Sequence, residues 1–216
     1  MAIRPIVYTA DEQALIATAR DQKMEWGCDA LEGIRKRIKQ FYLAGQNLHC
    51  CYCRRRNPTT HGRAWDIEHV IAQALDSNFV FEPENLAVAC IDCNAAKSDQ
   101  VVLVRPRKRF PRTSDAYSIV HPHYDRWEDH FVFGHFIYAP KSPKGSRTLE
   151  ICKLYRYYEL EGQDALLSQD RRFADLAEQA LFAKTAVEAE PAVIAIGELV
   201  KRAVEAESRA TASQDA

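Results

Sequence analysis

The chain has 216 residues and a formal net charge of −1 at pH 7, and hydrophobic residues make up 47% of it, which excludes wholesale disorder. The opening MAIRPIVYTADEQ lacks the apolar core of a secretory signal, and no apolar run approaches the ~20 residues that span a bilayer. We therefore expect a cytoplasmic protein without a membrane partner.

Two helices are predicted in the first region, residues 1–46. Thr9 and Glu12 have the spacing of a capping box, so the first helix should begin there. The second is predicted to begin at Asp29 and to stop before Gly45. The apolar residues that would share one face of the second helix are Ile34, Ile38, Phe41 and Tyr42. Its basic residues elsewhere around the helix are interpreted as solvated: Arg35, Lys36 and Lys39.

Four of the seven cysteines form two CxxC pairs, CCYC (50–53) and CIDC (90–93). In a reducing compartment such pairs indicate metal binding rather than disulfides, with buried thiols as the alternative. Tetrahedral Zn²⁺ takes four soft donors, and a site with four thiolates has no open position, so it is structural. The expected zinc ligands are Cys50, Cys53, Cys90 and Cys93.

The second region, residues 47–104, is predicted to hold two strands and a helix. WDIEHVI (65–71) alternates apolar and acidic side chains as a strand does. LAVAC (86–90) is a short apolar strand entering the second cysteine pair, and CNAAK (93–97) begins a helix. The zinc ion would hold the ends of this unit together.

Two further regions follow. A basic loop is predicted over RPRKRFPRTSD (105–115). Two strands, joined by a turn over 141–145, are predicted over HFVFGHFIYAP (130–140) and SRTLEICKLYRY (146–157). The third region, 105–157, is therefore a basic loop and a β-hairpin. The fourth, 158–216, is Ala/Glu-rich and predicted to be helical.

The central pattern resembles the HNH endonucleases. In that family a CxxC pair is followed by an acidic residue and His, an apolar pair, Asn-Leu, and a second CxxC with His or Asn and then Lys. The matching residues are Glu68-His69-Val70-Ile71, Asn85-Leu86, Cys90, Cys93, Asn94 and Lys97. The chain departs at Asn94, where many members have His, and at Ala72, where Pro is common. The resemblance implies an α+β fold with a zinc-stapled ββα-metal core, N-terminal helices, an extra β-hairpin and C-terminal helices.

The resemblance also implies a role for each matched residue. Glu68 and Asn94 would hold one Mg²⁺ or Mn²⁺ ion, which acts as a Lewis acid on a phosphodiester. His69 would accept the proton of the attacking water, and Asn85 would orient the loop or the base by side-chain hydrogen bonds. Lys97, one turn beyond Asn94, would contact the phosphate. Each residue alone is more often structural; their joint placement favours a site.

A narrower resemblance covers the chain up to about Arg156. EPENLAVACIDCN, VHPHYDRWEDH and ICKLYRY are similar to the HNH nucleases encoded beside an ATPase in bacterial anti-phage systems of the Septu type, including retron-associated versions. This similarity implies an ATPase partner and a role in antiviral defence. The acidic C-terminal helices could dock that partner or simply cap the core.

The charge distribution permits nucleic-acid binding by the front of the chain. Residues 157–216 carry 6 Lys and Arg against 12 Asp and Glu, which leaves 23 basic and 18 acidic residues before them. The residues expected to contact phosphates, besides Lys97, are Arg54, Arg55, Arg56 and Arg107. The alternative is that these arginines lie in solvated loops.

The sequence leaves three functions open. The first is a nuclease that cuts DNA, and the second is a nuclease that cuts RNA, for example tRNA, with the same chemistry. The third is a non-catalytic zinc module that binds nucleic acid or a protein. A second cluster, His121, His123, Asp125 and His130, offers metal-binding side chains, but we interpret it as structural or substrate-lining.

Overall fold

The computed structural model describes residues 3–134, 137–156 and 171–212. The chain divides into two compact units. One comprises Met1–Asp129 with Pro143–Lys153, and the other comprises His130–Ser142 with Leu154–Ala216. The fold is mixed α+β, as the sequence predicted, and the described residues include two small antiparallel sheets.

Both predicted N-terminal helices are present. Helix α1 spans Ala10–Asp21, and its capping box is confirmed: Thr9 Oγ1 accepts from the Glu12 amide, and the Thr9 amide donates to the Glu12 carboxylate. A 3₁₀ turn over Asp29–Leu31 leads into helix α2, Glu32–Gly45.

Helix α2 packs on the core through a face that differs from the predicted one at one residue. Ile34, Ile38 and Tyr42 are buried as predicted, Leu43 is buried as well, and Phe41 is 36% exposed. Phe41 instead packs edge-on against the ring of Tyr42, with 5.2 Å between the ring centroids. The buried residues form the apolar face that anchors the helix.

The sheet next to α2 is the predicted pair of strands. Strand β1, Trp65–His69, pairs antiparallel with β2, Leu86–Cys90, and His69 lies opposite Leu86 in the register. Helix α3, Ile91–Lys97, begins directly after β2. The order of two strands and then a helix, predicted from residues 47–104, is therefore present.

A side-chain amide joins α2 to β2. Gln46, the C-cap of α2, donates from Nε2 to the Val88 carbonyl at 2.8 Å, and its Oε1 accepts from the Val88 amide at 2.8 Å. Gln46 thus makes both hydrogen bonds that a neighbouring strand would make to Val88. This contact fixes where the end of α2 lies against β2.

The predicted strand pair over 130–140 and 146–157 is wrong. Residues 130–140 contain a hairpin of their own, β3 over Phe131–Gly134 and β4 over Ile137–Pro140. Helix α4, Pro143–Ile151, occupies the first half of the second segment. The buried residues of α4 are Gly145, Thr148 and Ile151, which follow helical spacing. The aromatic content of SRTLEICKLYRY favoured a strand, but proline at the first helical position and burial every third residue favour a helix.

The second unit holds the hairpin β3–β4 and the C-terminal helices. Helix α5 spans Arg171–Phe182 and packs against helix α6, Ala186–Ala212. Residues 158–170 of the predicted helical region lie outside the described residues. Among the described helices, none has the length and apolarity needed to cross a membrane.

Candidate zinc centre and polar cleft

The four cysteines of the two CxxC pairs come together. The sulfurs of Cys50, Cys53, Cys90 and Cys93 all lie within 4.8 Å of one another, and the Cys53 and Cys90 sulfurs are 4.0 Å apart. A tetrahedral zinc ion holds its sulfur ligands about 3.8 Å apart. The cluster could therefore hold a zinc ion, as the cysteine spacing predicted.

Backbone geometry shapes the first cysteine pair into a tight turn. The Arg54 amide donates to the Cys50 carbonyl at 3.0 Å, and the Cys50 amide donates to the Arg55 carbonyl at 3.1 Å. Arg54 has a φ of 57°, the left-handed conformation that lets the chain reverse after Cys53. In the second pair, Cys90 ends β2 and Cys93 lies in the first turn of α3.

The four thiols shift one another's pKa values. Burial and the hydrogen bonds with Cys51 and Cys90 raise the pKa of Cys50, and hydrogen bonds led by the Cys50 thiol raise the pKa of Cys53 and Cys93. The pKa of Cys90 is lowered because the other three thiols hydrogen-bond to its sulfur. All four can ionise together only beside a cation, which fits a soft divalent metal.

Glu68 faces α3 but is already paired. Its Oε1 lies 2.7 Å from the Lys97 ammonium and accepts from the Tyr52 hydroxyl at 2.9 Å. Burial raises the pKa of Glu68, although Lys97 and Tyr52 favour its charged form. Lys97 itself is 1% exposed and neutralises the buried Glu68 carboxylate, so the structure does not place its ammonium at a surface where a substrate phosphate could reach it.

His69 ends β1 with its ring buried, at 6% exposure. Its Nε2 lies 3.2 Å from the Val80 carbonyl, which can only accept, so in the neutral ring Nε2 carries the proton and Nδ1 the lone pair. Burial lowers the pKa of His69 to about 4. The imidazole is therefore neutral near pH 7, as a general base must be.

Asn85 supports the loop that follows His69. Its Oδ1 accepts from the Ile71 amide at 2.7 Å, and its Nδ2 donates to the carbonyls of Ile71 at 3.1 Å and Phe79 at 3.0 Å. The side chain is fully buried. These bonds hold the start and the end of the loop between β1 and β2 together, which is the positioning that the resemblance implies for this residue.

Asn94 meets Asp66 rather than Glu68. Its Nδ2 donates to Asp66 Oδ2 at 2.9 Å, and both residues line an open cleft of about 610 Å³. Glu68 and His69 have other partners: Lys97 holds Glu68, and Trp26 packs against His69.

Apart from Asn94, the cleft is built by residues to which the sequence analysis gave no role in a site. Its full lining is Trp26, Glu32, Arg35, Lys36, Lys39, Asp66, Ile67 and Asn94. Three of these are the basic residues of α2 interpreted as solvated. The available signal was their i, i+1, i+4 spacing, which places all three on one side of a helix.

The arginines expected to contact phosphate lie elsewhere. Arg54 and Arg55 belong to the turn around the first cysteine pair, and Arg54 is close enough to Glu128 to help lower its pKa. Arg56 and Arg107 are exposed, and Arg107 acts on the pKa of Asp115. The structure does not bring these four arginines to the cleft.

The histidine cluster is engaged in hydrogen bonds. The ring nitrogens of His123 lie 3.0 Å from the Ile3 carbonyl and 2.7 Å from the Leu86 carbonyl. Asp125 accepts from the His121 amide at 2.7 Å and pairs with Lys144. His130 lies in the other unit, where its Nδ1 is 2.6 Å from the Ser142 hydroxyl. These contacts tie loops to the sheet and to α4, which is a structural role.

Comparison with known proteins adds no relative. No protein-family model matches the chain, and neither a curated protein nor a solved structure matches it significantly. The site is therefore interpreted from its own residues.

Proposed function

We propose that the chain is a metal-dependent endonuclease of the HNH type, which hydrolyses phosphodiester bonds of DNA. One observation carries the proposal: two antiparallel strands and a helix are closed by four cysteine sulfurs, and Asn85 braces the loop between the strands. The same unit bears an acidic residue, a neutral imidazole and an amide beside a basic cleft. Those are the groups that metal-assisted phosphodiester hydrolysis requires.

The oxygen ligands for the hydrolytic cation are reassigned to Asp66 and Asn94. Both line the cleft, and they are already within hydrogen-bonding distance of each other, whereas Glu68 is taken by Lys97. Carboxylate and amide oxygens are hard donors that suit Mg²⁺ or Mn²⁺. A bound cation would supply a Lewis acid for the phosphate and stabilise the leaving oxygen.

His69 is the proposed general base. The bond from Nε2 to Val80 leaves Nδ1 as the nitrogen that takes the proton of water. A pKa of about 4 keeps that nitrogen unprotonated throughout the physiological range. Lys36 and Lys39, on the α2 side of the cleft, would neutralise phosphate charge without reading sequence.

Cleavage assays on plasmid DNA, circular single-stranded DNA and total RNA, each with added Mg²⁺, test this function. We expect wild type to cut DNA, and Asp66→Asn, Asn94→Ala and His69→Ala each to reduce the rate about 100-fold or more. Asp99→Asn, an exposed carboxylate just beyond α3, should cut as wild type does. Cleavage by His69→Ala at the wild-type rate, or no cleavage by wild type even with a partner ATPase added, would contradict the proposal.

The same assay separates the other candidates. Cleavage of RNA and not DNA would make the chain a ribonuclease of the same chemistry. A non-catalytic zinc module is favoured by one observation, the burial of Glu68 against Lys97, and it predicts binding without cleavage. By resemblance we also propose a role in cytoplasmic anti-phage defence with an ATPase partner, which coexpression and copurification with the neighbouring ATPase would test.

A further inference from the structure

Trp26 is placed unlike the other two tryptophans. Trp65 is 0% exposed and Trp127 is 9% exposed, whereas Trp26 is only partly buried and lines the cleft. It lies in the connection between α1 and α2. A rigid aromatic ring that borders a polar cleft offers a face on which a ligand can stack.

The ring is held in a defined position. Its centroid lies 4.8 Å from that of His69, with the planes at 84°, and 5.4 Å from that of Phe81. Arg35 fixes the backbone beneath it by donating to the Trp26 carbonyl at 2.6 Å and the Cys28 carbonyl at 2.7 Å. A ring anchored in this way loses little freedom when a ligand stacks on it.

The rest of the cleft supplies the complementary chemistry. Lys36 and Lys39 offer positive charge to phosphates, and Asp66 and Asn94 offer the proposed cation ligands. An aromatic ring among cations suits a nucleobase joined to its phosphates. In a duplex the bases are stacked on one another, so a protein ring can stack on a base only where the strand is unpaired.

We infer that the substrate reaches the cleft as an unpaired nucleic-acid strand, with one base stacked on Trp26 and the adjoining phosphates near Lys36 and Lys39. This inference rests on the proposed nuclease function and narrows its substrate class. It also makes Trp26 a binding residue next to the proposed base.

Binding is measured with the full zinc-loaded chain and no added Mg²⁺ or Mn²⁺, so that no cleavage intervenes. The probes are short fluorescein-labelled oligonucleotides of one sequence: single-stranded DNA, single-stranded RNA and duplex DNA. We expect a single strand to bind more tightly than the duplex, and Trp26→Ala to weaken single-strand binding about 10-fold. Trp26→Phe, which keeps an aromatic face, should recover most of the affinity. The tighter of the two single strands identifies the sugar of the substrate.

Phe41→Ala is the matched control, because Phe41 is an exposed aromatic residue of α2 that does not line the cleft. The affinity of the Phe41→Ala variant for a single strand should equal that of wild type. Because Trp26 is the most exposed of the three tryptophans, single-strand binding should also quench the intrinsic fluorescence of wild type and leave that of Trp26→Phe nearly unchanged. Zinc content and melting temperature show whether each variant is folded.

Two results would overturn the inference. One is wild-type affinity for single strands in a folded Trp26→Ala variant, and the other is tighter binding of the duplex than of either single strand. Neither result would remove the nuclease proposal if wild type cuts DNA with Mg²⁺. Conversely, Trp26-dependent strand binding without any cleavage would leave this inference standing and contradict the nuclease.

Discussion

The Nζ atom of Lys97 lies 2.7 Å from Oε1 of Glu68, and both side chains are only 1% exposed. Lys97 Nζ also donates to the His69 carbonyl at 2.9 Å. The last residue of α3 is thereby bound to two adjacent residues of β1. One turn earlier on the helix, Asn94 meets Asp66. The ion pair therefore sets how α3 lies on β1 and which residues form the cleft.

Removing one member of this pair should destabilise the protein. Glu68→Met leaves a buried ammonium without its carboxylate, and we expect a loss of about 3–5 kcal/mol in the free energy of unfolding. The double variant Glu68→Met/Lys97→Met should recover much of that loss, because an apolar pair of similar volume has no charge to desolvate. Denaturant unfolding measures both; equal stability of wild type and the single variant would contradict the assignment.

Zinc binding should depend on the four clustered cysteines and not on the neighbouring Cys51. Cys53→Ser is expected to purify with less than stoichiometric zinc and a lower melting temperature, because serine is a poor donor for this ion. Cys51→Ser is the control, since Cys51 is buried within the same turn but is not one of the four clustered sulfurs. Metal analysis after gel filtration gives the readout. Full zinc in the first variant would disprove the ligand set.

Asn85→Ala should cost about 3 kcal/mol of stability, because it leaves the backbone amide and carbonyl of Ile71 without their buried partner and removes one hydrogen bond to the Phe79 carbonyl. Asn78→Ala is the matched change at an exposed asparagine in the same loop, whose side chain bonds only to Asp76. It should cost less than about 1 kcal/mol. Thermal unfolding compares the two, and similar losses would argue against the bracing role.

The folded state should lose stability in mild acid through His69. In the unfolded chain this imidazole takes up a proton near pH 6.5, whereas burial keeps the folded ring neutral until about pH 4. Stability attributable to His69 is therefore complete above pH 6.5 and decreases as the pH falls towards 4. Relative to His69→Asn, wild type should lose about 1 kcal/mol over the first pH unit below 6.5. Parallel pH profiles for the two proteins would refute the burial of a neutral ring.

The sequence predicted best where spacing alone decides the structure. Two CxxC pairs and the Thr9–Glu12 capping box are local patterns, and both formed as expected. Contacts between elements were harder to predict, because nothing in the sequence places the Lys97 ammonium beside Glu68 rather than beside a substrate. Trp26 was missed for the same reason, since its position depends on how the connection between α1 and α2 folds over the end of β1.

The strand predicted over 146–157 failed for another physical reason. Aromatic and branched residues favour a strand only where a partner strand is available, and here the two strands of the preceding segment, β3 and β4, pair with each other. Thr148, a β-branched residue in α4, instead accepts from the Val120 amide and donates to the Lys144 carbonyl. Tertiary contacts thus outweighed local preference.

The side-chain amide of Gln46 also covers the outer edge of β2. A two-stranded sheet leaves an outer edge whose unpaired backbone groups can recruit a strand from another molecule. On β2 that edge is closed by side chains: Gln46 satisfies both polar groups of Val88, and His123 bonds to the Leu86 carbonyl. Intermolecular strand addition is thereby blocked without any added strand. Variants substituted at Gln46 or His123 should therefore aggregate during expression.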